Sequence, residues 1–110
     1  MTTICGQEGS PFLTAAYAYI LRTDALPSTD AASDDPDPLC VVKLFYPTGS
    51  WSWFVAGFDP DTTRAFGVVH GFEREAGDFM LNELKALRLP FGLRIERDLH
   101  WSPKRMSELL

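Results

Sequence analysis

The sequence is poor in several features that would assign it to a particular class of protein. Its 110 residues include two cysteines, Cys5 and Cys40, which lie far apart and outside any Cys-x-x-Cys pair. A structural zinc site normally needs four close ligands, and a disulfide-stabilised domain needs more cysteines, so we expect both thiols to be reduced. No apolar run approaches the ~20 residues of a membrane span. The N-terminus also lacks the pattern of a secretory signal. We therefore expect a cytoplasmic protein without a membrane partner.

Catalytic signatures are missing as well. The sequence contains no Gly-x-Ser-x-Gly elbow, phosphate-binding loop, dinucleotide fingerprint or His-Glu-x-x-His motif. Serine, threonine and histidine are present, but their spacing selects no catalytic triad. We expect no cofactor, and we favour a non-enzymatic function over an enzymatic one.

A basic surface is not indicated either. The net charge is −5, and residues 1–39 hold six acidic side chains against one basic, whereas residues 40–110 hold nine of each. Because duplex nucleic acid is recognised through clustered positive charge, we do not expect it to be a partner. The excess acid lies mainly in a stretch rich in Asp, Ser, Ala and Pro over residues 23–38, for which we predict a mobile acidic loop.

The remaining pattern predicts one α+β domain with a small antiparallel sheet of about four to five strands and flanking short helices. Ser10-Pro11 is a typical helix start, and residues 1–39 are predicted to form an N-terminal helix followed by the acidic loop. Residues 40–110 form the predicted α+β core. The predicted strands cover residues 41–46, 51–58, 64–69, a short stretch ending near residue 79, and 93–101. Short helices are predicted over residues 81–88 and after Ser102-Pro103.

A series of short motifs runs in order from Lys43 to the C-terminus. The motifs are Lys43-Leu44-Phe45, Gly49-Ser50-Trp51-Ser52-Trp53, Phe58-Asp59-Pro60, Phe66-Gly67-Val68-Val69, Gly71-Phe72-Glu73, Gly77-Asp78-Phe79, Asn82-Glu83-Leu84 and Ile95-Glu96-Arg97-Asp98-Leu99. Together they resemble an uncharacterised bacterial family, domain of unknown function 2958. The first 39 residues match that pattern poorly. The resemblance implies an accessory protein of mobile genetic elements, such as plasmids and phages, and it supplies no catalytic residue or cofactor.

From this resemblance we expect a small protein-binding module that inhibits a host defence system, either CRISPR (anti-CRISPR) or restriction (antirestriction). It would act by occluding a surface of a subunit of the target complex. The candidate partner-binding residues are the acidic side chains of the loop, together with two tryptophans that share one strand face. These residues are Asp30, Asp34, Asp35, Asp37, Trp51 and Trp53. The same tryptophans could instead stack on single-stranded nucleic acid, or they could belong to the core.

An enzymatic or metal-dependent alternative rests on the last predicted strand. Alternation places Glu96, Asp98 and His100 on one face, with the two carboxylates ~7 Å apart. Such a set could perform acid–base chemistry or hold a metal ion, and otherwise it is a solvated strand face.

Arg97 occupies the opposite, apolar face of that strand. A buried guanidinium must be paired, because an uncompensated buried charge is costly. We expect Glu73 or Glu75 to be its partner in a structural ion pair, and a binding-site role for Arg97 is the alternative.

Overall fold

The computed structural model describes residues 19–110, in which strands and short helices form an α+β fold. Two antiparallel sheets are present in this part of the chain, and the larger has the strand order β5-β4-β3-β2-β6, while the smaller pairs β1 with β7. The strands are β1 (Leu39–Cys40), β2 (Val42–Phe45), β3 (Ser52–Asp59), β4 (Arg64–His70), β5 (Arg74–Met80), β6 (Glu96–Arg97) and β7 (Lys104–Arg105). The helices are α1 (Thr29–Asp34), α2 (Leu81–Ala86) and α3 (Met106–Leu109), with 3-10 turns at Arg22–Asp24 and Pro90–Gly92.

The fold class predicted from the sequence is confirmed, and strands β2 to β5 begin and end close to their predicted positions. The predicted helix that starts at Ser10-Pro11 lies almost wholly outside the described residues. Two other predictions were wrong. The last strand, expected over residues 93–101, contains only Glu96–Arg97, and part of the expected acidic loop forms helix α1. In the described part of the chain, no helix has the length and apolar character needed to cross a membrane.

Each face of the larger sheet packs against its own hydrophobic cluster. The first cluster includes strand residues and part of α2 and comprises Tyr19, Val42, Leu44, Trp53, Val55, Phe58, Ala65, Leu81, Leu84 and Ile95. The second includes residues of α1 and α3 and comprises Ala32, Cys40, Phe54, Ala56, Val68, Met106 and Leu109. Strand β3 is buried along nearly its whole length because both of its faces are covered.

Cys40 belongs to the second cluster and is a free, fully buried thiol, as the sequence predicted. Burial raises the pKa of this thiol to about 12, because the thiolate would lose its hydration. The thiol therefore remains protonated and unreactive at neutral pH. Cys5 lies outside the described residues.

Strand β3 contains a β-bulge, which changes the side-chain alternation that its sequence predicted. Val55 lies opposite Gly67 and Gly57 lies opposite Phe66, so Ala56 is an extra residue on β3. As a result Phe58 faces the first cluster together with Trp53, whereas uninterrupted alternation along β3 would put these two side chains on opposite faces. At the bulge β3 approaches β4 so closely that a Cβ on Gly67 would overlap the carbonyl oxygen of Phe54.

Helix α1 is fastened at its N-terminus to the turn between β3 and β4. The Asp59 carboxylate accepts hydrogen bonds from the Thr29 backbone N–H (2.9 Å) and hydroxyl (2.6 Å), and Arg64 contacts both residues. The Ser28 hydroxyl caps the helix by accepting from the Ala31 N–H at 3.1 Å. The hydrogen bonds that Asp59 accepts, above all the one from the Thr29 hydroxyl, lower the pKa of its carboxyl group. A six-residue helix is not stable alone, so these contacts explain why α1 forms in a stretch that reads as a loop.

The C-terminal segment is held by the end of the acidic stretch. The Asp37 carboxylate accepts hydrogen bonds from the hydroxyl (2.7 Å) and the backbone N–H (3.0 Å) of Ser107, in the first turn of α3. Both bonds favour the ionised carboxyl and lower the pKa of Asp37. The Met106 N–H donates to the Pro38 carbonyl at 2.9 Å, next to the β1–β7 pair. The segment around Pro38 and the start of helix α3 are therefore held side by side.

The close approach at the bulge predicts that the facing pair Gly67 and Gly77 will respond differently to substitution. We expect Gly67→Ala to lower the free energy of unfolding by at least about 2 kcal/mol, because the backbone must move to admit a methyl group. Gly77→Ala is the matched control, since a Cβ there has no neighbour within 4 Å, and it should cause no loss. Urea unfolding followed by circular dichroism measures both. Equal stability of the two variants would contradict the close approach.

Candidate functional site

An exposed aromatic surface lies at the tip of the β4–β5 hairpin. Phe72 is 94% exposed in the three-residue connection between His70 and Arg74. Its ring meets the half-buried indole of Trp51 edge-on, with the ring centroids 5.3 Å apart. The indole covers Gly71 so closely that a Cβ there would lie 2.5 Å from its Cη2 atom. We call Trp51, Gly71 and Phe72 the hairpin patch.

The two tryptophans of the predicted binding face have different environments. Trp53 is only 8% exposed and belongs to the first hydrophobic cluster, so it is not available to a partner. Trp51 lies just before β3, keeps part of its surface exposed, and contacts Trp53 with ring centroids 6.0 Å apart. Trp53 is therefore a core residue, and the ring of Trp51 packs against it. Phe72 was missed, although an apolar side chain within a three-residue hairpin connection was the available signal.

A shallow groove of about 280 Å³ adjoins the hairpin patch. Its walls come from the patch itself and from the β4–β5 hairpin, including Val69, Glu73, Glu75, Ala76, Gly77 and Asp78. Three of these residues carry a carboxylate, and among residues 19–110 the described lining of the groove includes no lysine or arginine. The groove is thus apolar at the tryptophan end and negatively charged along β5.

The structure pairs Arg97, but with a different acid from the ones expected. Its Nη1 and Nη2 donate to the two carboxylate oxygens of Asp24 at 2.7 and 2.8 Å, and Nη1 also donates to the Tyr19 carbonyl at 2.8 Å. The expected partners Glu73 and Glu75 lie at the β5 edge, whereas Arg97 is on β6 at the opposite edge of the sheet. Because the pair is bidentate and largely buried, it fixes the segment before α1 against the sheet.

Competing effects act on the Asp24 carboxyl group. Burial by itself would raise its pKa, because the charged form loses hydration. Hydrogen bonds from Arg97 and from the Leu21 N–H, together with the positive charge of the guanidinium, outweigh burial and lower the pKa. Asp24 therefore stays ionised in the folded protein to a lower pH than in the unfolded chain.

The acidic residues predicted to bind a partner do not form one surface of free carboxylates. Asp37 is occupied by Ser107, and Asp35 accepts a hydrogen bond from the Asp37 N–H at 2.9 Å. Asp30 is exposed on α1 and lies 3.8 Å from Arg64, while Asp34 is exposed at the end of that helix. Most of these carboxylates therefore have contacts within the domain, which weakens the case for a binding surface there.

The structure does not place Glu96, Asp98 and His100, the residues of the alternative site, on one strand face. Asp98 lies 3.9 Å from Lys43 and accepts a hydrogen bond from the His100 backbone N–H at 2.9 Å. Because β6 ends at Arg97, the expected alternation of Glu96, Asp98 and His100 along one strand face does not occur. Among residues 19–110, no group of three or more His, Cys, Asp or Glu side chains is placed to hold a metal ion.

Comparison with known protein families identifies the family of this chain. The model of the family described as "Protein of unknown function (DUF2958)" matches residues 12–109, nearly the whole chain. The match begins well before Lys43, so the family pattern includes much of the N-terminal third that had been expected to match poorly. No curated protein and no solved structure matches the chain significantly.

The buried ion pair predicts an acid-sensitive contribution to stability. At neutral pH, Asp24→Asn should lower the free energy of unfolding by about 3 kcal/mol, because Arg97 loses its charged partner. The ordinary pKa of 3.8 applies to the unfolded chain and the folded pKa is lower, so this contribution is full above about pH 4 and is lost as the pH falls further.

Urea unfolding of wild type and Asp24→Asn at several pH values between 7 and 2.5 tests this expectation. The difference between the two proteins should shrink at the acid end. Asp34→Asn, at an exposed position, is the control and should change stability by less than about 0.5 kcal/mol at any of these pH values. A difference that did not depend on pH would show that the Asp24 charge is not its source.

Proposed function

The chain belongs to the DUF2958 family, and on the evidence of its own surface we propose that it is a small non-enzymatic protein-binding module that contacts its partner through the hairpin patch. The observation that carries this proposal is Phe72, a large apolar side chain that is 94% exposed on a well-formed hairpin.

The hairpin patch has the properties of an interface anchor. Aromatic side chains contribute disproportionately to binding energy when a partner buries them, and Trp and Tyr are among the most frequent anchors. The edge-on contact with Trp51 limits the orientations of Phe72 before binding. Because fewer rotamers are lost on association, the entropic cost of forming an interface is reduced.

The surroundings of the patch support binding in preference to catalysis. The adjoining groove is shallow and its charged groups are the carboxylates of Glu73, Glu75 and Asp78, and the described residues that line it include no histidine, cysteine, serine or lysine. In the alternative site, strand β6 ends between Glu96 and Asp98, so the two carboxylates do not share one strand face. The Asp98 carboxylate also contacts Lys43. An enzymatic function therefore ranks below protein binding.

A narrower hypothesis concerns the identity of the partner. The resemblance noted in the sequence implies an origin in mobile genetic elements, whose accessory proteins can act against host defence. On that basis we expect the partner to be a subunit of a CRISPR or restriction complex in the bacterial cytoplasm. In this hypothesis the protein inhibits the complex by covering a surface that the complex needs.

Affinity capture from bacterial lysate with a patch variant and an exposed-aromatic control tests the proposal. We expect wild type and Phe91→Ser to retain the same stoichiometric partner after nuclease treatment, and Phe72→Ser to lose it. Phe91 is the matched control because it is 98% exposed and lies on the separate Pro90–Gly92 turn. With the purified partner, Phe72→Ser should weaken binding at least about tenfold, corresponding to roughly 1.4 kcal/mol.

Thermal unfolding of the variants must accompany the capture. Phe72→Ser should lower the free energy of unfolding by less than about 1 kcal/mol, because the side chain is 94% exposed and the substitution removes its edge-on ring contact with Trp51. Equal retention of the partner by wild type and Phe72→Ser would contradict the assignment of the patch. A partner recovered only without nuclease would instead indicate binding through nucleic acid.

A further inference from the structure

Strand β5 forms one edge of the larger sheet, beside the hairpin patch. All seven of its residues pair with β4 on one side, and within residues 19–110 no strand pairs with its other side. Alternate residues of such an edge strand direct their backbone N–H and C=O groups away from the sheet. These groups can pair with an extended segment of another chain, the binding mode known as strand addition.

The centre of this edge leaves room for an added strand. Ala76 is exposed, and a Cβ built on Gly77 meets nothing within 4 Å. The groove beside it is lined by Val69 and by the indole of Trp51. A side chain of an added strand could therefore enter the groove from β5 and reach the hairpin patch.

The charge beside the edge of β5 favours one kind of added strand over others. Glu73, Glu75 and Asp78 line the groove, and Arg74 is the basic residue of β5. Charged residues on an edge strand deter indiscriminate pairing and favour a strand of complementary charge. A second copy of this chain is disfavoured, because each copy carries a net charge of −5 and would bring its own carboxylates to the contact.

We propose that β5 accepts an extended, basic segment of the partner protein as a sixth strand of the larger sheet. A lysine or arginine of that segment lies in the groove near the carboxylates of Glu73 and Glu75, with its charge over the indole of Trp51. This inference rests on the proposed function, since it names the chemistry of the partner that the hairpin patch contacts. It adds two requirements, a positive charge and an extended backbone.

Selection of a random dodecapeptide phage library against the full chain tests the charge requirement. Enriched peptides should be rich in Lys or Arg. The double variant Glu73→Gln/Glu75→Gln should bind their synthetic versions at least tenfold more weakly. The control Asp61→Asn/Glu83→Gln removes the same charge from two other exposed sites and should bind as wild type does.

The outcomes separate this inference from the proposed function. Peptides that lose binding to Phe72→Ser but bind the double glutamine variant normally would overturn the basic-segment inference and leave the hairpin patch as a binding site. Peptides indifferent to all these variants, or a library without enrichment, would overturn both. Salt titration of the enriched peptides should weaken binding to wild type more than binding to the double glutamine variant.

N-methylation of an enriched peptide tests the strand geometry. An added strand uses the N–H groups of one edge only, so methylating one set of alternate amides should abolish binding and methylating the other set should leave it within about threefold. Equal tolerance of the two sets, or equal loss, would show that the peptide does not pair with β5 as a strand.

Discussion

The β-bulge in β3 is the constraint on which the rest of this small domain depends. One extra residue at Ala56 changes which side chains face which layer, so Phe58 joins Trp53 in one cluster while Phe54 remains in the other. The same irregularity brings β3 against β4 at Gly67. The bulge is followed by Gly57, where a Cβ would come within 2.7 Å of the Cβ of Ala32 and obstruct α1. Both layers around the sheet are thus positioned by one local departure from regular pairing.

Most of the central sheet could be predicted, because its signals are local. Runs of β-branched and aromatic residues separated by Pro-Thr-Gly-Ser and Asp-Pro-Asp turns indicate an antiparallel meander without reference to any distant residue. The bulge at Ala56, which reverses the alternation of the side chains that follow it, has no comparable signal in the local sequence. Helix α1 is similar, since its six residues are stabilised by Asp59 and Arg64, which lie about 30 residues further along the chain.

The candidate site shows the same division between local and distant information. Alternation correctly indicated that Arg97 needs a partner, but the choice between Asp24 and Glu73 depends on which edge of the sheet each acid reaches. Alternation also grouped Trp51 with Trp53, whereas their exposure depends on what the rest of the chain covers. Phe72 was visible in the sequence as an apolar residue in a turn. Its exposure could be established only once the lengths of β4 and β5 were known.

The hydrogen bonds between Asp37 and Ser107 have a consequence for biosynthesis. The meander from β2 to β5 joins neighbours in the chain, so it can form while later residues are still inside the ribosome. Helix α1 can reach its partners Asp59 and Arg64 early, but the Asp37 end of the acidic stretch cannot be fastened until Ser107 has emerged, since both of the Asp37 side-chain bonds go to that residue. During elongation the part of the second face that Met106 and Leu109 cover in the folded protein is therefore open to solvent. A chain that stops before Ser107 would leave this apolar surface uncovered, and exposed apolar surface of that kind favours aggregation and degradation.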